Sequence, residues 1–206
     1  MKGNERQKTI LIAIPNKGRL SAPAEQLLRN AGISLLSSER KYFCGTTDEK
    51  ITILRARAKD IPFYVEEGIA DFGITGRDIM EERMSEAQIF AELPFGECRM
   101  VLATSSERTG EIAKIATEFP NISARFLERK GIRAEIIKLS GAVESSVLLG
   151  VADAIVDLTV TGKTLEENGL VEIEEIMRST AVLIGNKKGG YCKEIIERIV
   201  GNRRMD

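Results

Sequence analysis

Residues 153–165 read DAIVDLTVTGKTL. The apolar run Ala154–Val156 leads to Asp157, a turn rich in Thr and Gly follows, and the next residues suit a helix. That is a strand–turn–helix unit, and the same unit recurs on both sides of it. Residues 9–14 (TILIAI) form a continuous apolar run, as expected of a strand buried on both faces. Residues 19–31 (RLSAPAEQLLRNA) then read as a helix closed by Gly32. Further strands are expected at 51–55, 71–75, 134–139, 153–158, 171–177 and 180–185. A strand pair is expected at 88–93 and 98–103. Helices are expected at 59–67, 77–84, 110–118, 123–130, 143–149, after Gly162, and from about 191 to 200. This alternation predicts an α/β fold with parallel-rich sheets covered by helices on both faces. So many strands fit two α/β lobes with a cleft between them better than one small sheet. The expected division is 1–93 plus 182–206 for the first lobe and 94–181 for the second.

Composition removes several classes of function. The chain has 206 residues, of which 43% are hydrophobic and 30% charged, with a formal net charge of −1. That balance is ordinary for a globular protein and lacks the basic excess of a nucleic-acid binder. The longest uncharged run, from Asn30 to Ser38, is well short of the about 20 apolar residues a membrane helix needs. No export signal is legible at the N-terminus, so a cytoplasmic location is expected. There is no histidine, which excludes imidazole bases, Ser-His and Cys-His nucleophiles, and His metal ligands. Cys44, Cys98 and Cys192 are widely spaced and without CxxC, fitting a reducing compartment and three apolar thiols.

The residues that could carry chemistry sit at strand ends. A helix start after Gly162 presents unpaired N–H groups to an anion, and Thr159, Thr161 and Thr164 add hydroxyls. The same threonines would also serve as plain helix caps. GKT at 162–164 is not a Walker motif, because Asp157 stands where the first glycine is required. Asp157 lies at the carboxyl end of its strand, where α/β proteins bind ligands. In PNKGRL (15–20), Lys17 and Arg19 flank Gly18 at a strand-to-helix turn and could face an anion or only solvent. Arg55 and Arg57 carry the same two readings. Arg99, inside an apolar strand, either faces a cleft or pairs with an acid. Gly73 and Gly76 would allow close approach of a flat ligand or simply make a turn. Glu144, in SGAVES (140–145), is either a first-turn carboxylate or a ligand contact.

Taken together, PNKGRL (15–20), ADFGITGRD (70–78), ELPFGECRMVLA (92–103), FPNISARFLERKGI (119–132), GVADAIVDLTVTGKTLEENGL (150–170) and RSTAVLIGN (178–186) resemble the ATP phosphoribosyltransferase family. The pieces follow the family's order over nearly the whole chain. The resemblance implies a two-lobed type II periplasmic-binding-protein-like fold with its active site in the cleft. It implies a reaction joining N1 of ATP to C1 of phosphoribosyl pyrophosphate, with substrate-bound Mg²⁺ and release of pyrophosphate. Such a reaction runs on positioning and charge stabilisation, which a chain without histidine can supply.

Carried onto this sequence, the resemblance implies that Thr159, Thr161, Gly162, Lys163 and Thr164 belong to the loop for the 5-phosphate. Asp157 and Glu144 are expected beside the ribose. Lys17, Gly18, Arg19 and Arg55, with Gly73, Gly76 and Arg99, are expected on the ATP side. Val160 stands where the family carries a hydroxyl, and Lys163 adds a cation that many relatives lack. The length resembles the family's short form, which implies a homo-oligomer such as a dimer. It also implies a regulatory subunit resembling histidyl-tRNA synthetase. The alternative from the same fold is a non-catalytic small-molecule-binding module.

Overall fold

In a computed structural model of the chain, residues 9–36, 41–186 and 193–201 are described. Cys192, the polar start at 1–8 and the first residues of the expected last helix lie outside them. The chain divides into two units. The first comprises Met1–Met80, Met84–Gly96 and Thr180–Asp206, and the second Glu81–Arg83 and Glu97–Ser179.

The first unit is built on a six-stranded sheet. Its strands are β1 (Ile10–Pro15), β2 (Phe43–Gly45), β3 (Ile51–Ala56), β4 (Phe72–Gly76), β5 (Gln88–Glu92) and β11 (Ala181–Gly185), in the order β2-β3-β1-β4-β11-β5. β1 runs parallel to β3 and β4, whereas β2, β11 and β5 pair antiparallel. The two-residue repeat of a strand separates two cores. Ile12 and Ile14 pack with Leu28 of α1 (Ser21–Asn30) and Ile195 and Ile199 of α7 (Lys193–Val200). Ala13 faces Ile61 and Val65 of α2 (Ile61–Glu66) on the other side. The helix expected over 59–67 divides into a 3-10 turn, Ala58–Asp60, and α2, because Pro62 occupies the start of a helix rather than its interior.

In the second unit, β6 (Cys98–Ser105), β7 (Lys114–Thr117), β8 (Glu135–Lys138), β9 (Ala154–Thr159) and β10 (Leu170–Ser179) form a sheet in the order β10-β6-β9-β7-β8. β7 is parallel to β8 and β9, and β6 is antiparallel to β9 and β10. α4 (Pro120–Lys130) covers one face through Ile122, Phe126 and Leu127. α5 (Glu144–Leu148) and α6 (Lys163–Glu167) cover the other, with Val143 and Leu165 against Val101 and Ile155.

Two local expectations are corrected. Residues 110–118, expected as a helix, contain strand β7. Ile112, Ile115, Ala116 and Phe119 suit a helical face, but Ile115, Ala116 and Thr117 are fully buried between β8 and β9. A ladder on both sides overrides the local propensity. The strands expected to pair at 88–93 and 98–103 do not pair. β5 joins β11 in the first unit and β6 joins β9 and β10 in the second. Strand β2 and the helical start at Pro120 are additions to the sequence reading.

Candidate active site

In the second unit the parallel strands lie in the order β9-β7-β8, so the chain leaves β7 toward one side and returns to β9 on the other. The carboxyl ends of β7 and β9 therefore meet at a switch in strand order, where open α/β sheets bind ligands. Asp157 and Thr159 share the face of Ile155, toward α5 and α6. The Thr159 hydroxyl, itself buried, accepts from the Gly162 amide at 2.8 Å. Thr161 Oγ1 accepts from the Lys163 amide at 3.4 Å. Gly162 has φ +80°, a left-handed turn that a side chain would strain, and it opens α6. The threonine hydroxyls thus shape the turn, while Thr161, Lys163 and Thr164 themselves are exposed. The loop is open to a ligand and is not consumed by packing.

Asp157 is the electrostatic centre of this edge. Burial pushes its carboxyl up from 3.8 to about 6, against the Leu158 amide, which donates to Oδ1 at 2.7 Å and pulls it down. The carboxylates of Glu144, on α5, and Glu118, just past β7, raise it further. Glu118 is not legible in the sequence, where it falls at the end of an expected helix. Its Oε1 lies 3.6 Å from where a side chain at Gly141 would begin, beside the entry to α5.

The raised value has a stability consequence. Folding disfavours the charged form, so the cost is absent below pH about 4 and complete above about 6. A rise of this size corresponds to at most ~3 kcal/mol. Asp157→Asn is therefore expected to gain stability over wild type as pH rises from about 4 to about 6. Urea titrations of both proteins at several pH values across that interval check this. A constant difference throughout would show that Asp157 titrates normally.

The first unit carries a pocket of about 570 Å³. β3 and β4 flank β1 on opposite sides, so the carboxyl end of β1 is also a switch in strand order. Asn16 and Lys17 follow β1, and Leu54–Arg57 end β3; both groups line the pocket. Arg55 is 4% exposed and pairs with Glu25 of α1. Desolvation works against its charge, but its bonds to Glu25 and Cys44 outweigh that and hold it above its ordinary value. Its Nε is buried without a hydrogen-bond partner among the described residues. Gly18, at φ +79°, lies in the exposed turn after β1.

The remaining expected residues have neighbours within the fold. Arg19 binds Asp78, almost fully buried, at 2.9 Å and the Gly96 carbonyl at 3.3 Å. A side chain begun at Gly73 would sit 2.5 Å from Ile61 and 3.0 Å from Val65, so that glycine lets α2 pack on β4. At Gly76 it would meet Asp78 at 2.3 Å. Arg99 takes the acid-pairing option, bonding Glu172 at 2.6 Å and Glu175 at 3.3 Å across β6 and β10.

Known proteins match this arrangement. Residues 57–203 match the family model described as HisG: ATP phosphoribosyltransferase. The chain belongs to the ATP phosphoribosyltransferase family. A curated ATP phosphoribosyltransferase of Methanococcus maripaludis strain C5 is 45% identical over 188 residues, 87% of this chain and 65% of that protein. The chain thus spans about two-thirds of that relative's length. The ATP phosphoribosyl transferase (HisG:HisZ) complex from Thermotoga maritima contains a chain with TM-score 0.81 and 32% identity, covering 93% of this chain and 96% of that one. An ancestral amino acid-binding protein, AncCDT-1, aligns with TM-score 0.59 at 13% identity, over 94% of this chain and 87% of that one. The likeness places the fold with two-lobed, type II periplasmic-binding-protein-like architectures.

Residues at these two sheet edges that the sequence did not single out are Glu118, Tyr42, Asp60 and Tyr64. The first stands at the carboxyl edge of the second unit's sheet, and the other three line the pocket of the first. Each becomes visible only once its strand or turn is placed beside another.

Proposed function

We propose that the chain catalyses the phosphoribosyl transfer of its family, joining N1 of ATP to C1 of phosphoribosyl pyrophosphate and releasing pyrophosphate. The observation that carries this reading is the open loop from Asp157 to Thr164, at the carboxyl edge of the second unit's sheet. Thr161, Gly162, Lys163 and Thr164 hold the 5-phosphate through hydroxyls, backbone amides and one ammonium. Thr159 holds the turn in shape. Asp157, Glu144 and Glu118 face the ribose, where their negative charge binds hydroxyl groups and favours the positive charge that builds at C1. The pocket of the first unit takes ATP, with Lys17, Gly18 and Arg55 toward its anionic part.

No group of three acidic or thiol side chains among the described residues is placed to hold a metal by itself. One or two carboxylates plus substrate oxygens are what Mg²⁺ normally uses, so Asp157 and Glu118 suit an ion that arrives on the pyrophosphate. Bound there, the ion would neutralise charge on the leaving group. The reading extends to a cytoplasmic location, a homo-oligomer such as a dimer, and a second, regulatory subunit like the partner in the Thermotoga complex.

The test is direct. Protein incubated with ATP, phosphoribosyl pyrophosphate and Mg²⁺, with and without a candidate regulatory subunit, should yield the N1 adduct by mass spectrometry. Absence of adduct from folded protein in both mixtures would refute the reading. Thr161→Ala combined with Thr164→Ala should weaken phosphoribosyl pyrophosphate binding by at least ~30-fold, since a contact to a charged group contributes about 2–3 kcal/mol. ATP binding should stay within ~2-fold. Calorimetry measures both, and equal losses would contradict the assignment of the two ligands to different units.

A further inference from the structure

Charged side chains that make no ion pair among the described residues line the pocket of the first unit. Lys17, Arg57 and Asp60 line it, and among the described residues none of their side chains has a hydrogen-bond or ion-pair partner. Arg55 lines it too, 4% exposed and with its buried Nε unpaired. Lys17 and Arg57 are exposed and Asp60 half-buried, so the Arg55 Nε is the buried atom here without a partner; such an atom is costly, and its convergence with three unpaired charged side chains on one pocket points to a ligand. The rest of the lining includes aromatic and apolar side chains. Tyr42 is 70% exposed and Ile69 50% exposed, and Tyr64 completes the surface. Exposed rings lining a pocket suit a flat π-system that would cover them.

The three cations suit phosphate, but a lone carboxylate beside them does not. Asp60 repels an anion, so whatever part of the ligand reaches it must bring a hydrogen-bond donor or a cation. Position settles which part. Asp60 precedes α2, and Tyr64 lies four residues on, so the two share a face about one helical turn apart. A base resting on Tyr64 therefore places its edge at the Asp60 carboxylate.

We propose that Asp60, with Tyr42 and Tyr64, selects the base of the nucleotide: the tyrosines stack on the purine, and the carboxylate accepts from the exocyclic amino group at C6. This rests on the reading of the pocket as the ATP site and adds a specificity determinant to it. A 6-oxo purine presents an acceptor at the same point and is rejected by charge. The site therefore discriminates for the amino group that neighbours the reacting nitrogen N1.

Inosine triphosphate, which differs from ATP only at this edge of the base, is the probe. Calorimetric titrations of the full chain with ATP, inosine triphosphate and inorganic triphosphate should show ATP preferred over inosine triphosphate by at least ~10-fold. Asp60→Asn should bring that ratio within ~3-fold by improving inosine triphosphate, because the amide can rotate to donate to the 6-oxo group. A gain of this kind cannot come from misfolding. Tyr42→Ala should weaken both nucleotides by ~5-fold or more and leave triphosphate unchanged, as expected of a lost stacking surface. Equal weakening of ATP and inosine triphosphate by Asp60→Asn would mean that Asp60 binds the ribose hydroxyls, and would overturn the proposal. An unchanged ratio would overturn it as well. Wild-type protein that binds triphosphate but neither nucleotide would refute the ATP reading of the pocket itself, a result distinguishable from failure of the Asp60 assignment alone.

Discussion

Ile115→Ala is expected to destabilise the second unit by ~2–5 kcal/mol, the range for emptying a packed core position. Ile115 is fully buried in β7, against Phe126 of α4, with β8 on one side and β9 on the other. Little can collapse into the void, because both neighbouring strands are held by their ladders. Ile115→Val should cost only about 0.5–1.5 kcal/mol. Urea unfolding followed by circular dichroism measures both. The functional consequence follows from position: Glu118 stands just past the end of β7, beside the strand that carries Asp157. A loss under ~0.5 kcal/mol for Ile115→Ala would mean a surface position and would restore the helical reading of 110–118.

Glu25→Ala is expected to destabilise the first unit by ~3 kcal/mol, the lower part of the range for stranding a buried charge, since Glu25 keeps 21% exposure. Arg55 would keep the Cys44 thiol as a weak partner and lose its only carboxylate among the described residues. Replacing both members, Glu25→Leu with Arg55→Met, should recover most of the stability, because an apolar pair in that place carries no desolvation cost. The double variant should nevertheless bind ATP poorly, because the pocket has lost its buried cation. Thermal melts and ATP titrations on the two variants separate these roles. Recovery of stability together with full ATP affinity would show that Arg55 serves packing alone.

Much of the architecture was legible without coordinates. TILIAI at 9–14 and AIVDL at 154–158 are too continuously apolar for a half-exposed strand, so both had to be covered on two faces. Their flanking helices, with glycine stops and amphipathic spacing, left an α/β fold as the consistent solution. The turn after Asp157 was equally legible, because a strand, small residues and a helix start in that order make one arrangement. Residues 110–118 were not legible. Ile112, Ile115, Ala116 and Phe119 satisfy a helical stripe as well as a buried strand, and only pairing with β8 and β9 decides between them. Likewise, 88–93 and 98–103 each read correctly as strands, but strand pairing depends on partners distant in the chain, and β11 outcompetes the nearer candidate.

The sequence by itself determined the element types over most of the chain, the absence of imidazole chemistry, and the loop from Asp157 to Thr164. These depend on residues within a few positions of one another. Tertiary structure alone decided that Arg19 and Arg99 hold acids, and that Gly73 makes room for Ile61. It alone brought Glu118 and Glu144 close enough to raise Asp157, and set Asp60 and Tyr42 in one pocket with Arg55. Side-chain charge and desolvation act through space over a few ångströms, and distance along the chain carries no record of that.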